Sequence, residues 1–340
     1  MKNLKGINKI IFFFNSLVAT MLLLSYLLPY VAPENFAFLS VLSLAVPLLI
    51  ILNVLFVLYW LLQVKKQLLL SLLVLLLGYN YVLSLYKFTS SKNIEDVNDL
   101  SIMNYNVRLF NIYNWISEEH IETKIVGFIK KAQPDIISFQ EYHPHDNVDL
   151  SFYKYKYEKL SGKRVQYGQA IFSKYPIIKT GSIEFANTAN NAIYADVVKG
   201  EDTIRIYNVH LESLHIDTDV ENLKKEDSER LIKRISETFK KQQIQTELFL
   251  KHKEKSPYKM VICGDFNNTP YSYVYKKIKG DLIDAFEDAG NGFGRTFNFK
   301  YFPIRIDFIL VDKTFVVNGF KTFEDKFSDH YPIVTKLSLH

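Results

Sequence analysis

Three uncharged apolar runs fill the first quarter of the chain and limit what it can fold into. Ile10–Leu28, Phe36–Leu62 and Leu68–Tyr86 contain no Asp, Glu, Lys or Arg. Each is close to the ~20 residues that a helix needs to cross the hydrocarbon of a bilayer. The runs predict three transmembrane helices, over about 10–29, 36–62 and 68–86, as a membrane domain of residues 1–87. The second is long enough to tilt, or to kink at Pro47. A cleaved signal peptide is the competing reading of the first run. It has the basic flank, but no small-x-small cleavage site, and Pro33 crowds its end.

Charge orients these spans. Lys2, Lys5 and Lys9 precede the first run and Lys65-Lys66 separates the second from the third, whereas the loop Tyr30–Asn35 carries only Glu34. By the positive-inside rule the N-terminus and the Lys65-Lys66 turn are cytoplasmic. Three crossings then put the rest of the chain on the other side, as a multi-pass membrane protein with an extracytoplasmic domain; Lys87 opposes this alone. Residues 1–90 hold six of the 41 basic and one of the 36 acidic residues, leaving 35 of each beyond. The net charge of +5 therefore belongs to the apolar part and says nothing about nucleic-acid binding by the remainder. Cys263 is the one cysteine, so no disulfide forms within the chain, and about 240 residues can build a core without one. Phe88–Asp99 is polar and aperiodic and reads as a linker into a domain of residues 100–340.

In that domain polar residues gather at strand ends. Val261-Ile262-Cys263-Gly264 is a buried-type strand, and Asp265 and Asn267 follow it two residues apart, on one side of an extended chain; Phe266 turns into the core. Leu100–Val107 reads as a strand ending near Asn106, and Ile136–Phe139 as a strand ending at Gln140-Glu141. Thr203–Leu211 pairs with Ile193–Val198 around Gly200 and carries Ile204, Ile206, Asn208 and His210 on one face, so that face leaves the core and enters a site. A helix is expected over 118–131, an amphipathic helix over 219–255 covering the sheet, a short helix over 271–279, and strands from Arg305 and over Ile333–Leu339. Asp307 sits at the mouth of one strand, where it can pair with Arg305 or orient a histidine, and Asp329-His330 lies just before the last. Tyr and Lys alternate through 152–169, including Lys163 and Arg164. That pattern suits base stacking and phosphate contact or an edge strand guarded by Lys; the edge strand is the expectation.

Carboxylates, carboxamides and two histidines at strand ends, with neither a Cys nucleophile nor a Gly-x-Ser-x-Gly motif, suit metal-assisted hydrolysis of a phosphate ester. That chemistry needs a cation on the phosphoryl oxygens, an oriented water and donors for developing charge. Mg²⁺ takes one or two protein carboxylates and leaves its other positions to water and phosphate, so a single strand-end Glu suffices.

Seven motifs stand in one order: Tyr-Asn-Val (105–107), Gln-Glu (140–141), Gly-x-Ala-Ile-Phe-Ser-Lys-Tyr-Pro (168–176), Asn-Val-His-Leu (208–211), Gly-Asp-Phe-Asn (264–267), Arg-Ile-Asp-Phe-Ile (305–309) and Ser-Asp-His-Tyr-Pro (328–332). Together they resemble the endonuclease/exonuclease/phosphatase superfamily over about 100–340. The resemblance implies an α/β fold, a DNase-I-like two-sheet sandwich flanked by helices, here preceded by three transmembrane helices. It implies Glu141 as the main Mg²⁺ ligand (Mn²⁺ the alternative ion), with Asn106 beside it and Asp329 near the metal. Asp265 and Asn267 would position water and phosphate. His330, oriented by Asp307, would act at the nucleophile or scissile phosphate, and His210 would contact the phosphate as acid or donor; Asn208 joins this catalytic set. Arg108, Lys163 and Arg164 are the candidate substrate-binding residues. Arg108 stands where abasic-site endonucleases of the superfamily have Asp, and the Asn-x-His-Leu histidine is one those enzymes lack, so the pattern is closer to the deoxyribonuclease-I-like and sphingomyelinase-like branches. The expected activity is a membrane-anchored, divalent-metal-dependent phosphoesterase acting on nucleic acid, a phospholipid headgroup or an inositol phosphate. The lipid bilayer is its expected partner. An inert membrane-anchored interaction domain is the other class.

Overall fold

The computed structural model describes residues 4, 6–88, 99–216, 227–300 and 302–339. Its N-terminal part comprises α1 (Ile7–Ser25), α2 (Pro33–Val41), α3 (Val46–Leu62), α4 (Leu68–Leu77) and α5 (Tyr79–Leu85). Two helical stretches, Ile7–Tyr30 and Pro33–Leu62, are long and apolar enough to cross a membrane. The third run is not one helix: α4 and α5 meet at 81°. Gly78 lies at the break, where a Cβ would fall 2.0 Å from the Tyr26 hydroxyl. The Tyr26 side chain fills that notch and donates to the Val74 carbonyl at 2.9 Å, and glycine's weak helix propensity makes the break cheap.

All three apolar segments join the same two ends. At one end Tyr59 of α3 donates to Asn8 of α1 (2.7 Å), and Asn8 donates to Gln63 (3.0 Å). At the other, Tyr26 stands beside Tyr81 and Tyr81 stacks on Tyr271 of the C-terminal part, ring centroids 5.6 Å apart. Between them, buried Asn15 pairs with Ser71 and accepts from the Trp60 indole, so both ends of its amide are satisfied among apolar side chains.

The C-terminal part packs two six-stranded sheets face to face. The first holds β1 (Leu100–Asn106), β2 (Ile136–Tyr142), β3 (Tyr155–Ser161), β4 (Tyr167–Ser173), β10 (Phe315–Thr322) and β11 (Ile333–Leu339), in the order β10-β11-β1-β2-β4-β3. The second holds β5 (Ile177–Glu184), β6 (Asn191–Lys199), β7 (Asp202–His210), β8 (Lys259–Asp265) and β9 (Asp307–Val311), with Ile283–Asp284 at the edge next to β9, then β8-β7-β6-β5. Each sheet has one parallel pair, β1/β2 and β7/β8; the other pairs are antiparallel. Ile102, Ile136 and Ile171 of one sheet meet Ile193, Ile206, Val261 and Cys263 of the other in a common core. Helix α6 (Ile121–Ala132) covers the outer face of the first sheet. On the second sheet, α7 (Ser228–Lys253) contributes Phe249, and α8 (Tyr273–Lys279) contributes Val274 and Ile278. Asp227 caps α7, accepting from the Arg230 amide at 2.9 Å.

The sequence anticipates most of these elements. The Tyr/Lys stretch holds β3, an edge strand. Two strands carried no expectation. β5 is a largely solvated edge strand, and β10 contains Asn318-Gly319, which resembles a hairpin turn but is a bulge, with the register slipping between Val317 and Gly319. The expected linker falls mostly on residues 89–98, and the start of the long helix on 219–226; both lie outside the described residues.

The two parts of the chain touch near the rim of the second sheet. Val41 and Leu44 pack with Leu214, Leu231, Ile235 and Phe239. The Glu34 amide donates to Gln243 (2.9 Å), and the Thr269 hydroxyl donates to the Ser43 carbonyl (3.3 Å).

Candidate active site

Strand register assembles the site. In the parallel β7/β8 pair His210 lies opposite Asp265, and in the antiparallel β8/β9 pair Asp307 lies opposite Asp265. The three stand abreast at one sheet end. Gly264 allows the approach: a Cβ there would meet the Val209 carbonyl oxygen at 2.1 Å. The first sheet ends at the same rim. Asn106 lies opposite Gln140, and the β2/β4 register shifts between Phe139 and Tyr142. Glu141 sits in that bulge with φ +50°, thrown out of the ladder and turned to the cleft. Asp329 and His330 arrive on the turn before β11.

Hydrogen bonds link the rim. The Asn106 amide donates to Glu141 Oε1 (3.2 Å) and Asp265 Oδ2 (3.1 Å), bridging the sheets. Asp265 Oδ1 accepts from the Asn267 backbone N–H (2.8 Å), and the Asn267 side-chain NH₂ donates to the Leu211 carbonyl (3.0 Å). Asp265 Oδ2 faces both imidazoles, with His210 Nε2 at 3.7 Å and His330 Nε2 at 3.6 Å. His330 Nδ1 is 2.9 Å from Asp307 Oδ2, so Asp307 orients the ring, while Arg305 pairs with Asp284 at 2.6 Å. His210 Nε2 is buried without a hydrogen-bond partner. Arg108 pairs with Asp329 (3.1 Å) and lies over the Trp115 ring.

Burial sets the protonation of these groups. His210 is pushed down to about 3 by desolvation, with the His330 charge adding to it, and is a neutral imidazole. Burial alone would lower His330 too, but the carboxylates of Asp307, Asp265 and Asp329 and the hydrogen bond to Asp307 hold it well above the usual histidine range. Burial raises Asp265; the His330 charge opposes this and Asp307 reinforces it. Burial raises Glu141 as well, and the neighbouring Asp329 carboxylate adds to it.

The donor chemistry fits a hard divalent cation. Glu141 and Asp329 offer carboxylate oxygens that repel each other through desolvated space, a repulsion that a cation reverses, and Asn106 supports them, turning its NH₂ to Glu141 while its oxygen accepts from the Arg108 backbone N–H at 3.1 Å. Asp265, Asp307 and His330 also bring ligand atoms within 4.8 Å of one another. In that trio Asp307 Oδ2 and His330 Nδ1 are spent on each other, and in the other set Asp329 pairs with Arg108, so Glu141, turned to the cleft and held through Oε1 by Asn106, is the leading ligand.

Arg108, Glu141, Asp265, Asn267, Asp329 and His330 line a cleft of about 580 Å³. Asn106, His210 and Asp307 stand behind that lining, joined to it through Glu141, Asp265 and His330, and three further candidates do not join the rim. The Asn208 amide donates to the Phe139 and Ala170 carbonyls (2.7 and 3.2 Å) and its oxygen accepts from Gln140 (2.6 Å), so this side chain ties the sheets together inside the sandwich. Lys163 and Arg164 lie exposed in the β3–β4 turn, away from the cleft lining. Sequence reasoning missed Ser328 and Thr296. The Ser328 hydroxyl donates to the Asn106 carbonyl and accepts from the His330 amide; the Thr296 hydroxyl accepts from the Ile306 and Asp307 amides. It also missed an apolar wall, discussed below, whose one signal is the aromatic spacing Phe297, Phe299, Phe302. A larger groove, about 830 Å³, lies between Tyr30, Tyr81 and Lys276–Lys279; none of the rim residues lines it.

Two mixed sheets packed face to face, with carboxylates, amides and imidazoles gathered at one shared edge, define a DNase-I-like hydrolase of ester bonds. The chain matches the Endonuclease/Exonuclease/phosphatase family over residues 103–330, and residues 8–85 match a domain of unknown function. It belongs to the endonuclease/exonuclease/phosphatase family. Similar solved structures include an endonuclease/exonuclease/phosphatase from Bacteroides vulgatus (19% identity, 71% of this chain and 99% of that one, TM-score 0.54). The human Nocturnin catalytic domain with bound sulfate is 18% identical over 71% and 94% of the two chains, TM-score 0.52. D. rerio TDP2 complexed with single-strand DNA product is 17% identical over 72% and 100%, TM-score 0.51. No curated protein matches the chain.

Proposed function

We propose that the chain is a membrane-anchored, divalent-metal-dependent phosphodiesterase. The observation that carries this reading is the common rim. The Glu141 and Asp329 carboxylates, with Asn106 hydrogen-bonded beside Glu141, stand beside an Asp-oriented imidazole (His330–Asp307), a second imidazole whose Nε2 makes no hydrogen bond (His210) and the Asp265–Asn267 pair. Mg²⁺ suits that set, with Mn²⁺ the alternative, and would neutralise charge on the phosphoryl oxygens. Asp265 and Asn267 position water and phosphate. His330 Nε2 exchanges the proton of the attacking water, and His210 Nε2 meets the phosphoryl or leaving oxygen. Arg108, stacked on Trp115, adds a fixed positive charge for the ester's anion. Asn208 is a structural tie, and the exposed β3–β4 turn gives no support to a nuclease groove.

Anchoring rests on the apolar segments. Each has one end near Asn8, Tyr59 and Gln63, beside Lys9 and Lys65-Lys66, and the other at the sandwich. That arrangement supports three traverses despite the bend at Gly78, with the Lys-bearing end cytoplasmic and the catalytic domain outside.

The test is hydrolysis of bis(p-nitrophenyl) phosphate by the full chain in detergent. Mg²⁺ or Mn²⁺ should be required, EDTA should abolish turnover, and Glu141→Gln should reduce it at least about 100-fold. Turnover indifferent to EDTA or to Glu141→Gln would refute the metal role. Absence of turnover on any phosphoester would favour the inert interaction domain.

A further inference from the structure

The cleft that holds the catalytic rim is walled on one side by the N-terminal part of the chain. Leu44 and Pro47, from the junction of α2 and α3 inside the second apolar run, line it together with Asp265, Asn267 and His330. The contact is fixed, because Thr269, two residues beyond Asn267, hydrogen-bonds the Ser43 carbonyl and Leu44 packs into the cluster of Leu214 and Phe239. The same cleft is also lined by Phe297, Phe299, Phe302, Ile304 and Ile306, with the Phe299 and Phe302 rings edge-on at 5.0 Å. The cleft lining therefore carries two chemistries: Arg108, Glu141, Asp329 and His330 are charged, whereas Leu44, Pro47, Phe299, Phe302, Ile304 and Ile306 are apolar, and the Phe297 ring joins them, edge-on to His330 at 5.0 Å. On the outside of the same segment Phe36, Phe38, Leu39 and Leu42 are exposed, so apolar surface continues from the cleft along α2 towards the candidate span.

We propose that the substrate is a phosphoester lipid of the bilayer. Its phosphate sits at the Glu141–His330 end, and its acyl chains run between Leu44 and Pro47 on one side and Phe299 and Phe302 on the other. This rests on the phosphodiesterase reading above and names its substrate class. A water-soluble nucleotide or sugar phosphate would leave the apolar half of the cleft wet, and a span that forms a wall of the cleft holds the site at the lipid surface rather than merely near it. In the reaction, the bond between phosphorus and one of its two ester oxygens breaks. Water supplies hydroxyl to phosphorus, and its proton ends on the departing oxygen.

The test compares two esters with the full chain in Mg²⁺: vesicles of equimolar phosphatidylcholine and phosphatidylglycerol, and bis(p-nitrophenyl) phosphate. The wild type should hydrolyse lipid. Phe302→Asp should lower the lipid-to-aryl rate ratio about tenfold or more, and the milder Phe302→Ser by a smaller factor in the same direction. An unchanged ratio in both variants overturns the proposal, as does turnover of the aryl ester or a single-stranded oligodeoxynucleotide with none of the lipid. If the wild type cleaves neither ester, the phosphodiesterase reading falls. Native mass spectrometry of Glu141→Gln then decides the lipid site separately: retained phosphatidylglycerol that Phe302→Asp removes upholds it, and no retained lipid overturns it.

Discussion

Asp307→Asn isolates what the Asp307–His330 pair contributes. The two side chains meet at 2.9 Å and are 1% and 5% exposed, so water neither screens nor replaces the interaction. Asn is isosteric and keeps a hydrogen bond, so the change removes the charge and frees the ring tautomer without opening a cavity. A buried charge-assisted hydrogen bond contributes about 1.5–3 kcal/mol. At 1.36 kcal/mol per tenfold in rate, that alone slows the reaction about 10–150-fold. The amide can also present its NH₂ to Nδ1, which moves the ring proton to Nε2, the atom aimed at the cleft. In a Ser-His-Asp triad the same tautomer error costs about 10⁴. The expected loss in kcat on a soluble aryl phosphodiester is therefore about 10²–10⁴, with KM little changed. Stability gives an independent reading. In EDTA, the raised His330 pKa means that the pair's stabilisation is fully present below the unfolded histidine value, roughly 6.5, and fades as pH rises through the elevated folded value. The Tm deficit of Asp307→Asn should thus be largest in acid and shrink towards alkaline pH. A kcat within about threefold of wild type, or a Tm deficit that grows with pH, would refute the reasoning.

Asn208→Ala should act on folding rather than chemistry. It strips partners from two buried carbonyls and from Gln140, at about 1–3 kcal/mol for each group left unsatisfied, so a urea midpoint should fall while kcat per folded molecule holds. Gly264→Ala pushes a methyl to within 2.1 Å of the Val209 carbonyl oxygen, which β7 can relieve only by moving away. We expect a loss of about 2–3 kcal/mol, with His210 drawn from Asp265 and activity falling with it. The Lys163→Ala/Arg164→Ala double variant should keep turnover within about twofold, and a large loss would return the β3–β4 turn to the substrate path.

The sequence exposed the rim because strand alternation is a strong local rule: residues two apart share a face, and polar residues that end an apolar strand mark where that face leaves the core. The rule places Ile204, Ile206, Asn208 and His210 together, and they do share a face. It does not say where the opposing sheet stops. Asn208 still lies beneath Phe139 and Ala170, while His210, one step further, clears them. Depth along the strand is set by the other sheet's register, which no local pattern encodes. Glu141 is the converse case. Its direction depends on a bulge between Phe139 and Tyr142 that alternation alone would not supply, and the ordered motifs found it where periodicity could not. The third apolar run looked continuous because Gly78 is tolerated in a helix; the break depends on Tyr26, more than fifty residues away, filling the space beside it.

Reading the chain as an anchor, a linker and an enzyme hides the most consequential packing. A linker lets a tethered domain wander, and anchoring then only raises local concentration. Here Glu34, Ser43, Val41 and Leu44 grip α7 and the segment after β8, so the position of the catalytic rim is set by a packed interface. Leu44 and Pro47 belong both to that interface and to the cleft. Removing residues 1–87 should therefore do more than take away the apolar helices. It strips one wall from the cleft, exposes Leu214, Ile235 and Phe239, and leaves a hydrolase whose apolar half opens to water.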